Sequence, residues 1–382
     1  MILSFTDLHL GLKDNSKLED NGLYTSEVEG YKSLDYIFNF CNNPENNVEL
    51  IIFKGDWFHH TTPASIHYTK TINFFTRINN LNIPFYLIPG NHESTIFSNC
   101  LSMIHELKLS NIHLYDSLES INHVVYKDYN IYFVPYVYSE SMKDRDVNVE
   151  QSFVDVINNI ETDNNIIVSH IQEISAKIGA ESLMIAKGVE LIDVENISSK
   201  VKLILLGHMH KQQLYTKKNI PVVYAGSTYY QNKSDVNQEK GFITVDDNLN
   251  VTLHSIPTLR RYHKVIVNQE TQNNIENILY SRKFKQYDVV YFDVVDLSKD
   301  LVLEETIRKA CSSRNIIIGD LVYIKSNEVE LNYSLGIIEE ETPYETFKKW
   351  VDNATTEEHE ASFITEVITS GNNYLDLFYK VN

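Results

Sequence analysis

Five short apolar runs stand out along the chain: Met1–Phe5, Leu50–Phe53, Pro84–Ile88, Ile166–Val168 and Leu203–Leu206. Each has strand length and is rich in Ile, Leu, Val and Phe. Each also stops at a metal-binding residue type: Asp7-Leu8-His9, Gly55-Asp56, Gly90-Asn91-His92-Glu93, Ser169-His170 and Gly207-His208-Met209-His210. Ligands in open α/β sheets collect where loops leave the carboxyl ends of strands. Five strands that each deliver Asp, Asn or His at that edge predict one shared metal centre.

Between the runs the period changes. Tyr31, Leu34, Ile37, Phe38 and Cys41 fall at helical spacing, as do Ile66, Ile72, Phe75 and Ile78, and later Phe153, Val156, Ile157 and Ile160. Val222–Ala225, Phe242–Val245 and Val251–Ile256 read as closing strands. Residues 1–256 therefore predict a layered α/β domain with sheets inside and helices outside. After Pro257 and Arg260-Arg261, the order strand (Tyr262–Val267), helix (Thr271–Ser281), strand (Asp288–Val295), helix (Leu301–Cys311), strand (Ile316–Ile324) predicts a small α+β unit over 260–330. Thr342-Pro343-Tyr344-Glu345 and Thr355 with Glu358 are capping patterns, which predict two helices over 342–382. Tyr344, Phe347 and Trp350 form one apolar stripe of that hairpin; Phe363, Ile364 and Val367 form another. Such stripes either pack back on their own domain or dock on a partner.

Composition narrows the setting. With 382 residues the chain can bury a large core, and no apolar stretch approaches the twenty residues of a membrane span. The N-terminus enters a strand directly, without a leader pattern, and the three cysteines make no disulfide framework; a cytoplasmic protein is expected, in the host cytoplasm if a phage encodes it. The Asn- and Ile-rich, acidic composition would suit a phage product. The net charge of −19 opposes long-range attraction to polyphosphate. Two divalent cations would reverse the field locally without altering the rest of the surface.

Asp7 and His9 are two apart, so an extended chain turns both the same way, and His208 and His210 repeat the spacing. Taken singly, Asp7 could be a turn cap, Asn91 a turn residue and His170 a hydrogen-bonded surface or core group. Together the four His, two carboxylates and one amide suit Mn²⁺, Fe²⁺ or Zn²⁺ better than Mg²⁺ or Ca²⁺. Seven ligands are too many for one ion and suit two, with Asp56 as a bridge across roughly 3.5–4 Å.

The series Asp7-Leu8-His9-Leu10-Gly11, Gly55-Asp56-Trp57-Phe58-His59, Gly90-Asn91-His92-Glu93, His170 and Gly207-His208-Met209-His210 resembles the calcineurin-like metallophosphoesterase superfamily. Within it, Leu10-Gly11, His59, Tyr224-Ala225-Gly226-Ser227 and Lys240-Gly241-Phe242 make the chain similar to the SbcD family of DNA double-strand-break repair nucleases. That resemblance implies a four-layer αββα sandwich with a small α+β cap and a C-terminal helical hairpin. It implies one ion, Mn²⁺ by preference, held by Asp7, His9, Asp56 and His210, and a second held by Asp56, Asn91, His170 and His208. It makes His92 the catalytic histidine near the leaving group and His59 a second active-site histidine. Glu93 stands where the family more often has Asp, and is expected to orient His92.

Three functions compete at this point: a Mn²⁺-dependent DNA exo- and endonuclease working with an SbcC-type coiled-coil ATPase, a small-molecule phosphodiesterase or nucleotide phosphatase, and a DNA-tethering regulatory subunit. The cap and tail favour the first, and the intact ligand set disfavours the third. The resemblance also implies a homodimer, giving a 2:2 heterotetramer with the ATPase, with Ile66–Leu81 and Leu101–Leu109 as candidate surfaces. Ile72, Phe74 and Phe75 would supply its apolar strip, unless they pack into the core. Lys211, Lys217, Lys218, Arg260 and Arg261 are the local basic candidates for DNA contact.

Overall fold

The computed structural model describes residues 1–13, 18–94, 99–116, 122–136, 153–154, 157–176 and 191–325. The predicted C-terminal hairpin, with Tyr344, Phe347, Trp350, Phe363, Ile364 and Val367, lies outside the described residues. Seventeen strands are described: β1 (Ile2–Phe5), β2 (Leu50–Lys54), β3 (Phe85–Ile88), β4 (Ile112–Leu114), β5 (Asn122–Tyr126), β6 (Tyr129–Val134), β7 (Asn165–His170), β8 (Gln172–Glu173), β9 (Leu191–Ile192), β10 (Val201–Gly207), β11 (Gln213–Lys217), β12 (Ile220–Tyr224), β13 (Gly241–Val245), β14 (Val251–Ser255), β15 (Tyr262–Val267), β16 (Val289–Val295) and β17 (Ile317–Ile324). The principal helices are α1 (Thr25–Asn42), α2 (Ser65–Asn79), α3 (Met103–Leu107), α4 (Ile275–Ser281) and α5 (Leu301–Ser312).

Two six-stranded sheets form, in the orders β14-β13-β1-β2-β3-β4 and β11-β12-β10-β7-β6-β5. Strand alternation sorts their side chains into three apolar layers. Ile2, Ile52, Ile166, Val168, Leu203, Leu205, Ile243 and Val245 fill the space between the sheets. Leu3, Phe5, Ile51 and Phe53 point outward beneath Leu34 and Ile37 of α1 and Phe74, Phe75 and Ile78 of α2. Ile167, Ile204 and Leu206 pack on the opposite outer face with Phe153 and Ile157. These three cores make the layered domain that the period changes predict and the αββα sandwich that the resemblance implies, and burial on both faces explains why the central runs are continuous rather than alternating.

The small sheet, β15-β16-β17, is parallel and carries its own core, in which Val265, Phe292 and Val294 meet Leu279 of α4 and Leu303 and Ile307 of α5. Asp300 caps α5 by accepting the Val302 N–H at 2.8 Å. All described residues fall within one compact unit, Met1–Glu328. Phe74 and Phe75 lie in the core, so of the expected apolar strip only Ile72 remains exposed. No helix among the described residues is long and apolar enough to cross a membrane.

Candidate metal centre

Parallel pairing of β1 with β2 and β2 with β3 brings three strand ends to one edge, and pairing of β6, β7 and β10 does the same in the second sheet. His170 is the last residue of β7 and Gly207 the last of β10, so the ligands leave directly from the strands. Asp7, His9, Asp56 and His208 all adopt positive φ, at 52, 43, 61 and 90°. Four non-glycine residues in this sparsely populated region at one locus mark a backbone bent by its surroundings to aim side chains. Gly90 lets the chain pass against Asp56, since a Cβ there would overlap the Asp56 amide and carboxylate.

The donor atoms fall into two sets. In the first, His9 Nε2 and His210 Nε2 are 3.2 Å apart, and each lies 3.9 Å from Asp7 Oδ1. In the second, His170 Nε2 and His208 Nδ1 lie 3.1 and 3.2 Å from Asn91 Oδ1. Asp56 joins them, with Oδ2 3.4 Å from His9 Nε2 and 3.3 Å from His170 Nε2. The other Asp56 oxygen, Oδ1, accepts the His92 N–H at 3.0 Å. Oδ2 is thus the Asp56 oxygen that faces both donor sets.

The residues fit a pair of cations. Asp7 Oδ1 is buried without a hydrogen-bond partner among the described residues, a costly arrangement unless a cation completes it. His nitrogens and carboxylate oxygens within 4.8 Å of one another are the donor set for divalent transition metals. The first ion would fall to Asp7, His9, Asp56 and His210, and the second to Asp56, Asn91, His170 and His208.

Electrostatics at the centre divide by environment. Burial lifts the Asp7 carboxyl, partly opposed by His170 and His210. Asp56 is buried too, but His170, His92 and His9 overcome that and hold it well below the usual carboxylate range. His9 is held well below the usual imidazole value by burial and by His92. For His170 burial acts downward, yet Asp56 and Asp7 prevail and bring it to about 9. These values belong to the protein without cations.

His92 and His59 stand beside the first set. The His92 ring lies 4.5 Å from that of His9 and stacks on His59 at 5.2 Å with a 25° tilt. His92 Nδ1 meets the His59 carbonyl at 2.8 Å, so Nδ1 carries the proton and Nε2 is left for the site. Burial, with His92 and His60 nearby, pulls His59 down to about 4. Glu93 does not orient His92 as expected. Its carboxylate accepts the N–H groups of Asp56, Phe58 and Gly90 at 3.0, 2.7 and 2.8 Å, tying the β2 loop to the β3 loop.

Two of the basic candidates are engaged within the protein. Arg260 is fully buried and its Nε donates to Glu29 at 2.7 Å, so it is unavailable to a phosphate; linker position alone cannot distinguish this from exposure. Lys217 is committed to Glu173 at 3.0 Å and Asp193 at 3.6 Å. Lys218 and Arg261 are exposed, and Lys211 is half-buried. Sequence reasoning also missed Tyr229 and Gln231, whose side chains reach the main chain of Asp7 and His9. Their only signal is a pair of large polar residues in a buried loop after Gly226-Ser227.

A family model for calcineurin-like phosphoesterases matches residues 1–212. No curated protein sequence matches the chain. Among solved structures, an archaeal phosphodiesterase matches over 67% of this chain and 99% of its own, at 10% identity and a TM-score of 0.32. The phosphopantetheinyl hydrolase of Mycobacterium tuberculosis matches over 59% of this chain and 88% of its own, at 9% identity and a TM-score of 0.33. The family match spans more than half of the chain and all five ligand-bearing strands, so the protein belongs to the calcineurin-like phosphoesterase family and is a metal-dependent phosphoesterase.

Proposed function

We propose that the protein is a Mn²⁺-dependent DNA exo- and endonuclease of the SbcD type, acting on DNA ends in recombination, repair and replication. The observation that carries this reading is the seven-residue cradle with the His92–His59 pair at its rim. When bound, two divalent ions supply the Lewis acidity and positive charge needed for in-line attack on a phosphodiester. Around them, Asp56 Oδ2 joins the two ligand sets, and the Asp56 Oδ1 contact to the His92 N–H fixes that histidine relative to the bridge. With Nδ1–H of His92 held by the His59 carbonyl, Nε2 is the nitrogen turned to the site. Once Nε2 too carries a proton, the imidazolium can pass that proton to the departing 3′-oxygen and return to the Nδ1–H neutral ring, a contribution of roughly 10²–10⁴-fold. His59, stacked on His92, limits the positions that ring can take.

The partner reading is that of the resemblance: an SbcC-type coiled-coil ATPase, docked through residues after Thr342, and a homodimer giving a 2:2 heterotetramer. Lys211, Lys218 and Arg261 remain the candidates for DNA contact. The competing reading is a phosphodiesterase for small substrates, which the same cradle would serve.

Linear duplex DNA and bis-p-nitrophenyl phosphate, each with Mn²⁺, separate the two. The proposal expects cleavage of both, with His92→Ala reducing DNA cleavage at least 100-fold while two Mn²⁺ still bind, a drop at the low end of general acid catalysis. Hydrolysis of the small ester without DNA cleavage, even beside the ATPase, would leave the small-substrate reading.

A further inference from the structure

The ligand set of one ion is gripped from behind by a single segment. Tyr229 donates its hydroxyl to the His9 carbonyl at 3.1 Å, and Gln231 Nε2 donates to the Asp7 carbonyl at 2.7 Å. Lys240 Nζ and the Ser227 N–H both donate to the His210 carbonyl, at 3.1 and 3.0 Å. Asp7, His9 and His210 are the three residues of the first donor set.

The segment is itself braced. Lys240 is ion-paired with Asp235 and donates to Ser227 Oγ at 2.9 Å. Asp235 Oδ2 in turn accepts the Gln231 N–H at 2.7 Å and the Asn232 N–H at 3.2 Å. Tyr229, Gln231, Asp235 and Lys240 are all buried. In the second donor set, His170 Nδ1 meets the Lys54 carbonyl at 2.6 Å, the His208 N–H donates to Asp7 Oδ2 at 3.2 Å, and Glu93 holds the amide of Asp56, which both sets share.

We infer that residues 227–240 are a strap that positions the ligands of the first ion and not those of the second, with Tyr229 and Gln231 as its positioning residues. The inference rests on the two-ion reading. Asp7 and His9 hold positive φ, a conformation that returns to the ordinary regions unless neighbours oppose it. The strap's donors fix the carbonyls on either side of those bends, and so fix the direction of the side chains. The other face of the strap carries the small sheet, through Tyr230 stacked on Tyr262 at 5.4 Å and Lys233 paired with Asp293 at 3.0 Å.

The test is a Mn²⁺ titration of the full chain and of the double variant Tyr229→Phe/Gln231→Leu, followed calorimetrically and by electron paramagnetic resonance. The unaltered protein should bind two ions and show the signal of a spin-coupled pair. In the double variant one affinity should fall about 10–100-fold, the range for lost support behind a metal ligand, and the other should stay unchanged. At one equivalent the signal should be that of isolated Mn²⁺. Equal loss at both sites, or at neither, overturns the inference. Binding of a single ion by the unaltered protein would instead remove the two-ion reading. Tyr229→Phe alone keeps the ring and its packing, and should give a smaller shift of the same one site if the double variant folds poorly.

Discussion

At the scale of single residues, the centre is a set of groups whose charges are balanced only in pairs. His170 illustrates this, because its folded value of about 9 lies above the ordinary imidazole value of 6.5. A raised folded value means that the protonated ring stabilises the cation-free fold below about pH 6.5, and that this contribution disappears as pH rises towards 9. Asp56 has the opposite sense: its depressed value stabilises the fold above the ordinary carboxylate range and loses that effect in acid. In chelator, resistance to urea should therefore decline from pH 6.5 to 9, and His170→Gln should flatten that slope. Mn²⁺ should restore stability most at the alkaline end, because there the ring has already lost its proton and the ion need not displace it. A cation-free protein whose urea midpoint rises over this interval would contradict the assignment.

At the scale of elements, the centre of the architecture was readable because five strands are continuously apolar and each is punctuated by ligand residues. The ends of β7 and β10 lie two residues and one residue beyond the apolar runs, at His170 and Gly207, since polar ligands and glycine hide the strand ends from hydrophobic patterning. Strands β5, β6 and β11 escaped it because they are edge or near-edge strands with mixed exposure, and Val125 and Leu214 face outward. The seven donor residues were legible from type and spacing; the supports behind them were not. Glu93, Tyr229, Gln231 and Lys240 act on main-chain atoms, which impose no pattern on sequence. The junction of the sheets also depends on a contact invisible in sequence: a Cβ at Gly207 would overlap the Lys54 carbonyl and Thr6 Oγ1. Gly207→Ala should cost about 1–3 kcal/mol by denaturant unfolding and weaken Mn²⁺ binding, as overpacking at a closed site does. A variant as stable as the parent would show that the sheets can part there without penalty.

At the scale of the whole molecule, a net charge of −19 makes this a poor polyanion binder except where cations change the local field. The small sheet joins the sandwich through a buried ion pair, Arg260 with Glu29, and through the Tyr230–Tyr262 stack. Both β1 and β10 sit in the middle of their sheets with later strands beside them, β13 and β12. A chain ending at residue 212, where the family match ends, should therefore be insoluble and bind no Mn²⁺. A soluble fragment of that length that still took up two ions would refute this dependence on the later strands.

The pairing of Ile2 with Val245 has one more consequence. During synthesis the first strand leaves the ribosome long before its neighbour exists, so Asp7 and His9 wait, unformed as a site, until some 240 more residues have emerged. A nascent or prematurely terminated polypeptide that lacks β13 should in this way lack the assembled centre. Hydrolytic competence is then expected to arrive together with a nearly finished product.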